Sequence, residues 1–260
     1  MNKLNFENIY NNLPKNRVSV DIFDEIDSTN DEAKRISLEN EFHLVIAEKQ
    51  SKGRGRHGKT WSSPDSHNIY MTICTQNDLS FAPESLITGV ICKRSINKIN
   101  KDINIGLKWP NDLILNKKKI GGILIEKEHY QNTVKTIIGI GINLNIEKKE
   151  PWWGDLSKFN LESKRNELII EIINNLIKVF DEKDFDWLNE WRQACVHINK
   201  EIKIHKKNNK KENAIFKDVD NFGNAIIETT SGLEVFSSGQ IIIKGIYKND
   251  SLHKKYFTKI

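Results

Sequence analysis

The run Gly53-Arg54-Gly55-Arg56-His57-Gly58-Lys59-Thr60-Trp61-Ser62-Ser63-Pro64 carries the densest chemistry in the chain. Its glycines lack the Cβ atoms that keep backbone N–H groups away from a ligand, and its cations offer charge-assisted donors to carboxylate or phosphate. Such a segment suits closure over a small anion; taken alone, it fits a solvated basic loop as well. The spacing Gly53-x-Gly55-x-x-Gly58 formally matches the dinucleotide fingerprint, which needs a strand before it and a helix directly after it. Residues 43–47 supply a strand, but Trp61-Ser62-Ser63-Pro64-Asp65-Ser66 breaks a helix, so that reading is rejected.

The chain's 260 residues allow one large domain, or one medium and one small. With 38% hydrophobic and 29% charged residues, a packed core under a highly charged surface is expected. A net charge of +5 suits anionic small molecules or acidic protein partners and falls short of the basic stripe of many nucleic-acid binders. The 3 cysteines, Cys74, Cys92 and Cys195, are widely spaced and form no CxxC pair, which supports neither a disulfide framework nor a zinc site. The N-terminus lacks the apolar core of a signal peptide, and no stretch nears the roughly 18 apolar residues of a membrane span. A cytoplasmic protein is expected.

The elements that must hold the loop follow from periodicity. Residues 18–23 alternate as a strand. Thr29 with Glu32 forms a capping-box pattern, so a helix should begin near Asn30; its exposed N–H groups can dock a polar ligand, or Ser28 and Thr29 simply cap it. Residues 68–74 read as a strand and 83–97 as a helix. Residues 105–109 and 112–115 precede a turn at 116–119, whose lysines read as turn solvation, and a returning strand at 120–126. Residues 133–145 form a long strand in which Gly139 and Gly141 mark a bulge or a close approach. A core-facing helix spans 165–180, and a short one 186–194. Past residue 199, about five short alternating runs split by turn clusters argue for a small β-barrel.

Four segments converge: Ser28-Thr29-Asn30; the 53–64 loop with Gln50 ahead of it; Lys108-Trp109-Pro110-Asn111-Asp112; and Gly139-Ile140-Gly141-Ile142-Asn143. Together they resemble the bacterial biotin protein ligases, the biotin–[acetyl-CoA-carboxylase] ligases, from about Asp21 to Lys244. The Gly-Arg-Gly-Arg loop and Lys-Trp-Pro-Asn-Asp, in this order and about 50 residues apart, form a highly specific pair. Later Gly-Gly-Ile-Leu-Ile-Glu and Gly-Ile-Asn-Leu runs strengthen it.

The resemblance implies an α+β fold: a mixed sheet with helices, of class II synthetase type, over residues 1–198, and a small SH3-like β-barrel over 199–260. It implies that ATP activates biotin to biotinyl-5′-AMP and that the biotinyl group passes to one lysine of a biotin carboxyl carrier protein. By resemblance, Ser28, Thr29, Asn30 and Gln50 contact biotin, Arg54, Gly55 and Arg56 close over biotin and the acyl phosphate, and Lys108 bridges the biotin carboxylate and the α-phosphate. Arg56, Lys59, Trp61, Asn143 and Lys244 fall on the nucleotide side, with the backbone at Gly139 and Gly141. Trp153 is either the aromatic against adenine or, with Trp152, a loop anchor. Mg²⁺ should accompany ATP; Asp112 is the one candidate contact, and no dedicated metal cage is readable. No nucleophilic triad is expected, because such chemistry needs charge stabilisation and alignment.

His57 and Lys59 stand where arginines are common in the family, leaving fewer fixed forks. Only 17 residues precede the first strand, where a repressor's winged helix would need roughly 50; a ligase without DNA binding or repressor function is expected. A homodimer remains open. The competing readings are a lipoate-type ligase and a nucleic-acid-binding module, the latter without a dense aromatic platform.

Overall fold

Seven strands, β1 (Val18–Ile26), β2 (Phe42–Gln50), β3 (Ile69–Thr75), β4 (Gly106–Lys108), β5 (Asp112–Leu115), β6 (Lys118–Tyr130) and β7 (Thr133–Ile142), form one sheet in the order β1-β2-β3-β7-β6-β5-β4. The structure is a computed structural model that describes residues 3–65, 67–77, 83–131, 133–147, 150–183, 185–206 and 210–247. The β1–β2 pair is parallel and the remaining neighbours are antiparallel. A dinucleotide fold needs a parallel doubly wound sheet, so the topology agrees with rejecting that reading.

Because side chains alternate across a strand, the pairing register decides which residues share a face. Ile138, Ile140 and Ile142 of β7 enter the main core, beneath α3 (Glu84–Ile99), α4 (Arg165–Glu182) and α5 (Trp187–Ala194). Ile137, Gly139 and Gly141 therefore face the other side, where α2 (Thr29–Arg35) packs Ala33 against Val45, Cys74 and Ile137. Partner by partner, this second face carries Lys108 opposite Asp112, Asp112 opposite Gly122, Gly122 opposite Gly141, and Gly141 opposite Tyr70. One row of residues thus crosses five strands with two glycines at its centre.

A second sheet holds β8 (Lys200–Lys206), β9 (Lys211–Val219), β10 (Ala225–Thr229), β11 (Gly232–Phe236) and β12 (Ile241–Lys244), all antiparallel, in the order β11-β10-β9-β8-β12. It is the expected small all-β module, and among the described residues β11 and β12 stand at its two edges without hydrogen bonds to each other. The proposed boundary at 198/199 falls between Ala194, the end of α5, and Lys200, the start of β8; residues 248–260 lie outside the described residues. The apolar core runs across that boundary, with Trp109 and Trp191 both packed against Phe216.

Three local expectations shift. An N-terminal helix, α1 (Phe6–Asn11), was not anticipated; it buries Ile9 alone, too short an apolar stripe to show a period. Ser28 caps α2, accepting from the Asp31 amide, so the helix starts one residue before the expected position and Thr29 turns inward. The β5–β6 turn tightens to Asn116-Lys117, both at positive φ (50° and 59°), the conformation favoured between twisted antiparallel strands.

Candidate active site

The two glycines of the central row leave a shallow floor that other side chains occupy. A Cβ on Gly141 would lie 2.6 Å from the Trp61 indole, and one on Gly122 would lie 3.2 Å from it. The ring at the end of the glycine-arginine loop therefore lies on bare backbone of β6 and β7. Its Nε1–H is buried and has no hydrogen-bond partner, a donor whose acceptor would come from a ligand. Gly139 leaves the equivalent space for Asn30, whose Oδ1 would be 2.0 Å from an added Cβ. Of the two openings expected in β7, both are close approaches, and Gly139 stands under the α2 side chain Asn30.

Around Asn30 a buried polar knot assembles. Gln50 Oε1 accepts from the Thr29 amide (2.9 Å) and hydroxyl (3.1 Å), and its Nε2 donates to Ser63 Oγ (2.8 Å). Thr72 Oγ1 donates to Asn30 Oδ1 at 2.8 Å and sits 2.9 Å from Thr29 Oγ1. Asn30 Nδ2 donates to Glu126 (3.0 Å), and Lys34 also binds this carboxylate (2.8 Å). Ser28, Thr29 and Asn30 are all buried. The N-terminus of α2, the end of the loop and the sheet are thereby tied into one wall of donors and acceptors of mixed polarity, suited to a neutral polar head group.

The other end of the floor is cationic. Asp112, buried, is bound by Lys119 Nζ (2.5 Å), by Lys108 Nζ (3.3 Å) and by the hydroxyl of Tyr247. Burial works to raise the Asp112 pKa; the Lys119 and Lys108 ammonium groups, with hydrogen bonds from Lys119 and Tyr247, overcome it and hold the carboxyl far below the usual range. Lys59 stands nearby on the exposed loop; partial desolvation of its ammonium and the charges of Lys119, Lys108 and Lys244 lower its pKa, against the pull of Asp112. Two ammonium groups thus bind one carboxylate, with Lys59 close enough to feel both charges and that of Lys244, a local surplus of positive charge that suits an incoming phosphate.

The loop's two arginines part company. Arg54 binds Asp31 and Glu126 (2.8 Å) on the α2 side. Arg56 reaches Asn111 Oδ1 (3.3 Å) and the Ser238 carbonyl (2.6 Å) of the second sheet. Gly55 N–H donates to the Lys59 carbonyl at 2.6 Å, closing the loop on itself. Asn143 donates to the Gly154 carbonyl (3.1 Å), and Trp153 forms a bridge with Lys119 along the backbone, so both brace the segment beside the lysines.

Residues 22–143 match the model of the "Biotin/lipoate A/B protein ligase family", and residues 197–244 match that of the "Biotin protein ligase C terminal domain". The chain belongs to the biotin protein ligase family. It is 28% identical over 244 residues to the bifunctional ligase/repressor BirA of Escherichia coli, covering 88% of this chain and 75% of BirA. It is 23% identical over 217 residues to the biotin–[acetyl-CoA-carboxylase] ligase of Mycobacterium tuberculosis, covering 76% and 78% of the two chains. The structure of the Aquifex aeolicus biotin protein ligase, solved with biotin and ATP, superposes with a TM-score of 0.72 at 25% identity, covering 87% of this chain and 98% of that one.

Several residues of this biotin protein ligase site escaped the sequence reading. Lys119, assigned to turn solvation, points into the site because the turn closes at Asn116-Lys117 and leaves it on the strand. Thr72 is a buried polar residue in an otherwise apolar strand run, which was its available signal, while Glu126 closes the Gly-Gly-Ile-Leu-Ile-Glu run without having been given a role. Tyr247 and the Ser238 carbonyl come from the second sheet and its tail, where no sequence pattern announces them. Asp112 holds Lys108 and Tyr247 on Oδ2 and pairs with Lys119 through Oδ1. Elsewhere, Glu48, Asp65 and His67 bring ligand atoms within 4.8 Å of one another, but both Glu48 oxygens are engaged, by the Leu4 amide and by Arg165. Among the described residues no helix is long and apolar enough to cross a membrane.

Proposed function

We infer that the protein is a biotin protein ligase that activates biotin with ATP to biotinyl-5′-AMP and transfers the biotinyl group to a lysine of a biotin carboxyl carrier protein. The observation that carries this reading is the floor itself: a neutral polar wall at one end, Lys108 and Lys119 on Asp112 with Lys59 nearby at the other, and Trp61 laid between them on Gly122 and Gly141. A carboxylate meeting an α-phosphate brings two anions together, and excess ammonium charge at the meeting point lowers that barrier without a protein nucleophile. The match of the second sheet to a biotin-specific C-terminal domain supports biotin over lipoate.

In this reading Ser28, Thr29, Asn30 and Gln50 hold the biotin head group, and Lys108 neutralises charge between the biotin carboxylate and the α-phosphate. Arg54, Gly55 and Arg56 keep the loop over the acyl phosphate and exclude water from the mixed anhydride. Lys59, Trp61, Asn143, Trp153 and Lys244 line the nucleotide side. Mg²⁺ would ride chiefly on phosphate oxygens and water, supplying charge neutralisation there. The partner would be the carrier domain of an acetyl-CoA carboxylase, with reaction in the cytoplasm; a homodimer is compatible with the exposed sheet edge at β1.

The test is biotin-dependent exchange between ATP and pyrophosphate, followed by weighing a purified carrier domain for the biotinyl adduct. Lys108→Ala should abolish exchange and retain the fold. Exchange supported by lipoate and not by biotin would overturn the substrate, and retention on DNA with a steep salt slope, without exchange, would favour a nucleic-acid module.

A further inference from the structure

Tyr247 lies three residues past β12 and beyond the segment, 197–244, that matches the C-terminal family model. Its hydroxyl nonetheless donates to Asp112 Oδ2, and its ring centroid lies 4.9 Å from Lys108 Nζ. Asp112 Oδ2 is the same oxygen that Lys108 binds, while Lys119 takes Oδ1. One carboxylate oxygen is therefore shared between the candidate activating lysine and a phenol from the far end of the chain.

That sharing has a chemical consequence. An ammonium held against a buried aspartate is largely cancelled by it, and a lysine that turned away alone would strand an anion, a costly state in a dry site. With the Tyr247 hydroxyl on Oδ2 and the Lys119 ammonium paired with Oδ1, the carboxylate keeps a hydroxyl and a counter-charge when Lys108 moves. The tyrosine ring face meanwhile attracts the ammonium through its quadrupole and limits where it can turn.

We propose that Tyr247 is a positioning residue for adenylation: it shares the Asp112 carboxylate with Lys108 and so frees that lysine to meet the reacting oxygens. The inference rests on the reading of Lys108 given above.

Full-length Tyr247→Phe and Tyr247→Leu proteins, beside Lys108→Ala, would be assayed by ATP–pyrophosphate exchange over a range of biotin and ATP concentrations. Tyr247→Phe should lower kcat about tenfold, the scale of one hydrogen bond to a charged group, with both KM values within about twofold. Tyr247→Leu, which loses the ring as well, should fall a few-fold further, and neither should shift the melting temperature by more than about 3 °C. A purely structural tail would give the opposite pattern, with Tyr247→Phe at full rate and Tyr247→Leu losing stability. Full rate in both variants, or a loss confined to KM, overturns the proposal while Lys108→Ala remains inactive. Exchange that survives Lys108→Ala overturns the reading of Lys108, and this inference with it.

Discussion

A methyl group at position 141 tests whether the indole of Trp61 is seated on bare backbone. The added Cβ would lie 2.6 Å from Cε2, 2.7 Å from Nε1 and 2.8 Å from Cζ2 of Trp61. Ordinary carbon–carbon contact is about 3.5–4.0 Å, so Gly141→Ala must lift the ring by roughly 1 Å. The half-buried indole can rise with its loop, which limits the folding cost to about 1–3 kcal/mol. Chemistry should suffer more: an error of about 1 Å in a substrate-positioning group costs on the order of a hundredfold in rate. Gly122→Ala, with 3.2 Å to the same ring, should cost less. Exchange of pyrophosphate into ATP would be measured for both variants, and for Gly141→Ala in a Trp61→Leu background, where the methyl has little left to displace. If Gly141→Ala keeps wild-type exchange and melting temperature, or its effect persists in full without the indole, the seat described here is wrong.

His197 is buried beside Trp191 and Phe216, and burial, reinforced by the charges of Lys108 and Lys200, lowers its pKa well below 6.5 against the pull of Asp112. Below pH 6.5 the unfolded chain binds a proton that folded His197 refuses, so its contribution is intact above that pH and is lost as pH falls, by up to about 1.4 kcal/mol per pH unit. Urea unfolding at pH 7 and pH 5.5 should show a shallower pH slope for His197→Phe than for the wild type; equal slopes would contradict this. Arg165 and Glu48 form a 2.6 Å pair with side chains 0% and 7% exposed, so Arg165→Met should cost about 3–5 kcal/mol, with partial recovery in Arg165→Met/Glu48→Leu. Arg54 is 37% exposed in its pairs with Asp31 and Glu126, so Arg54→Gln should cost less than about 1 kcal/mol of stability. It should still speed release of the bound adenylate about tenfold in a chase experiment, and an unchanged off-rate would count against a closing role for that arginine.

Much of this architecture is legible in the chain because its signals are local. The long apolar run in 133–145 gives β7, and the paired apolar positions from Leu168 to Phe180 give α4. The glycine-arginine loop and Lys-Trp-Pro-Asn-Asp announce anion chemistry through residue type alone. What stays hidden depends on register and on long-range contact. Lys119 enters the site only because the hairpin turns two residues earlier than composition suggests. The separation of Arg54 from Arg56 follows from partners 72 and 182 residues away. The strand order of the second sheet, with β12 beside β8 and β11 at the other edge, is likewise a pairing that no single run could reveal.

The carbonyls of Gly223 and Ser238 receive Trp109 Nε1 (2.9 Å) and Arg56 Nη2 (2.6 Å), while Arg192 is forked onto Asp218 (2.9 and 2.7 Å). The C-terminal unit therefore works as a keeper plate for the catalytic half: it catches the tip of the arginine arm and plugs an indole that would otherwise face water. Splitting the chain near residue 199 would leave most of the reactive lysines in place and remove the catch that holds the arm shut. The cut would also bare Trp109 and Trp191, which pack on Phe216, so the detached half should lose stability along with its hold on the activated form.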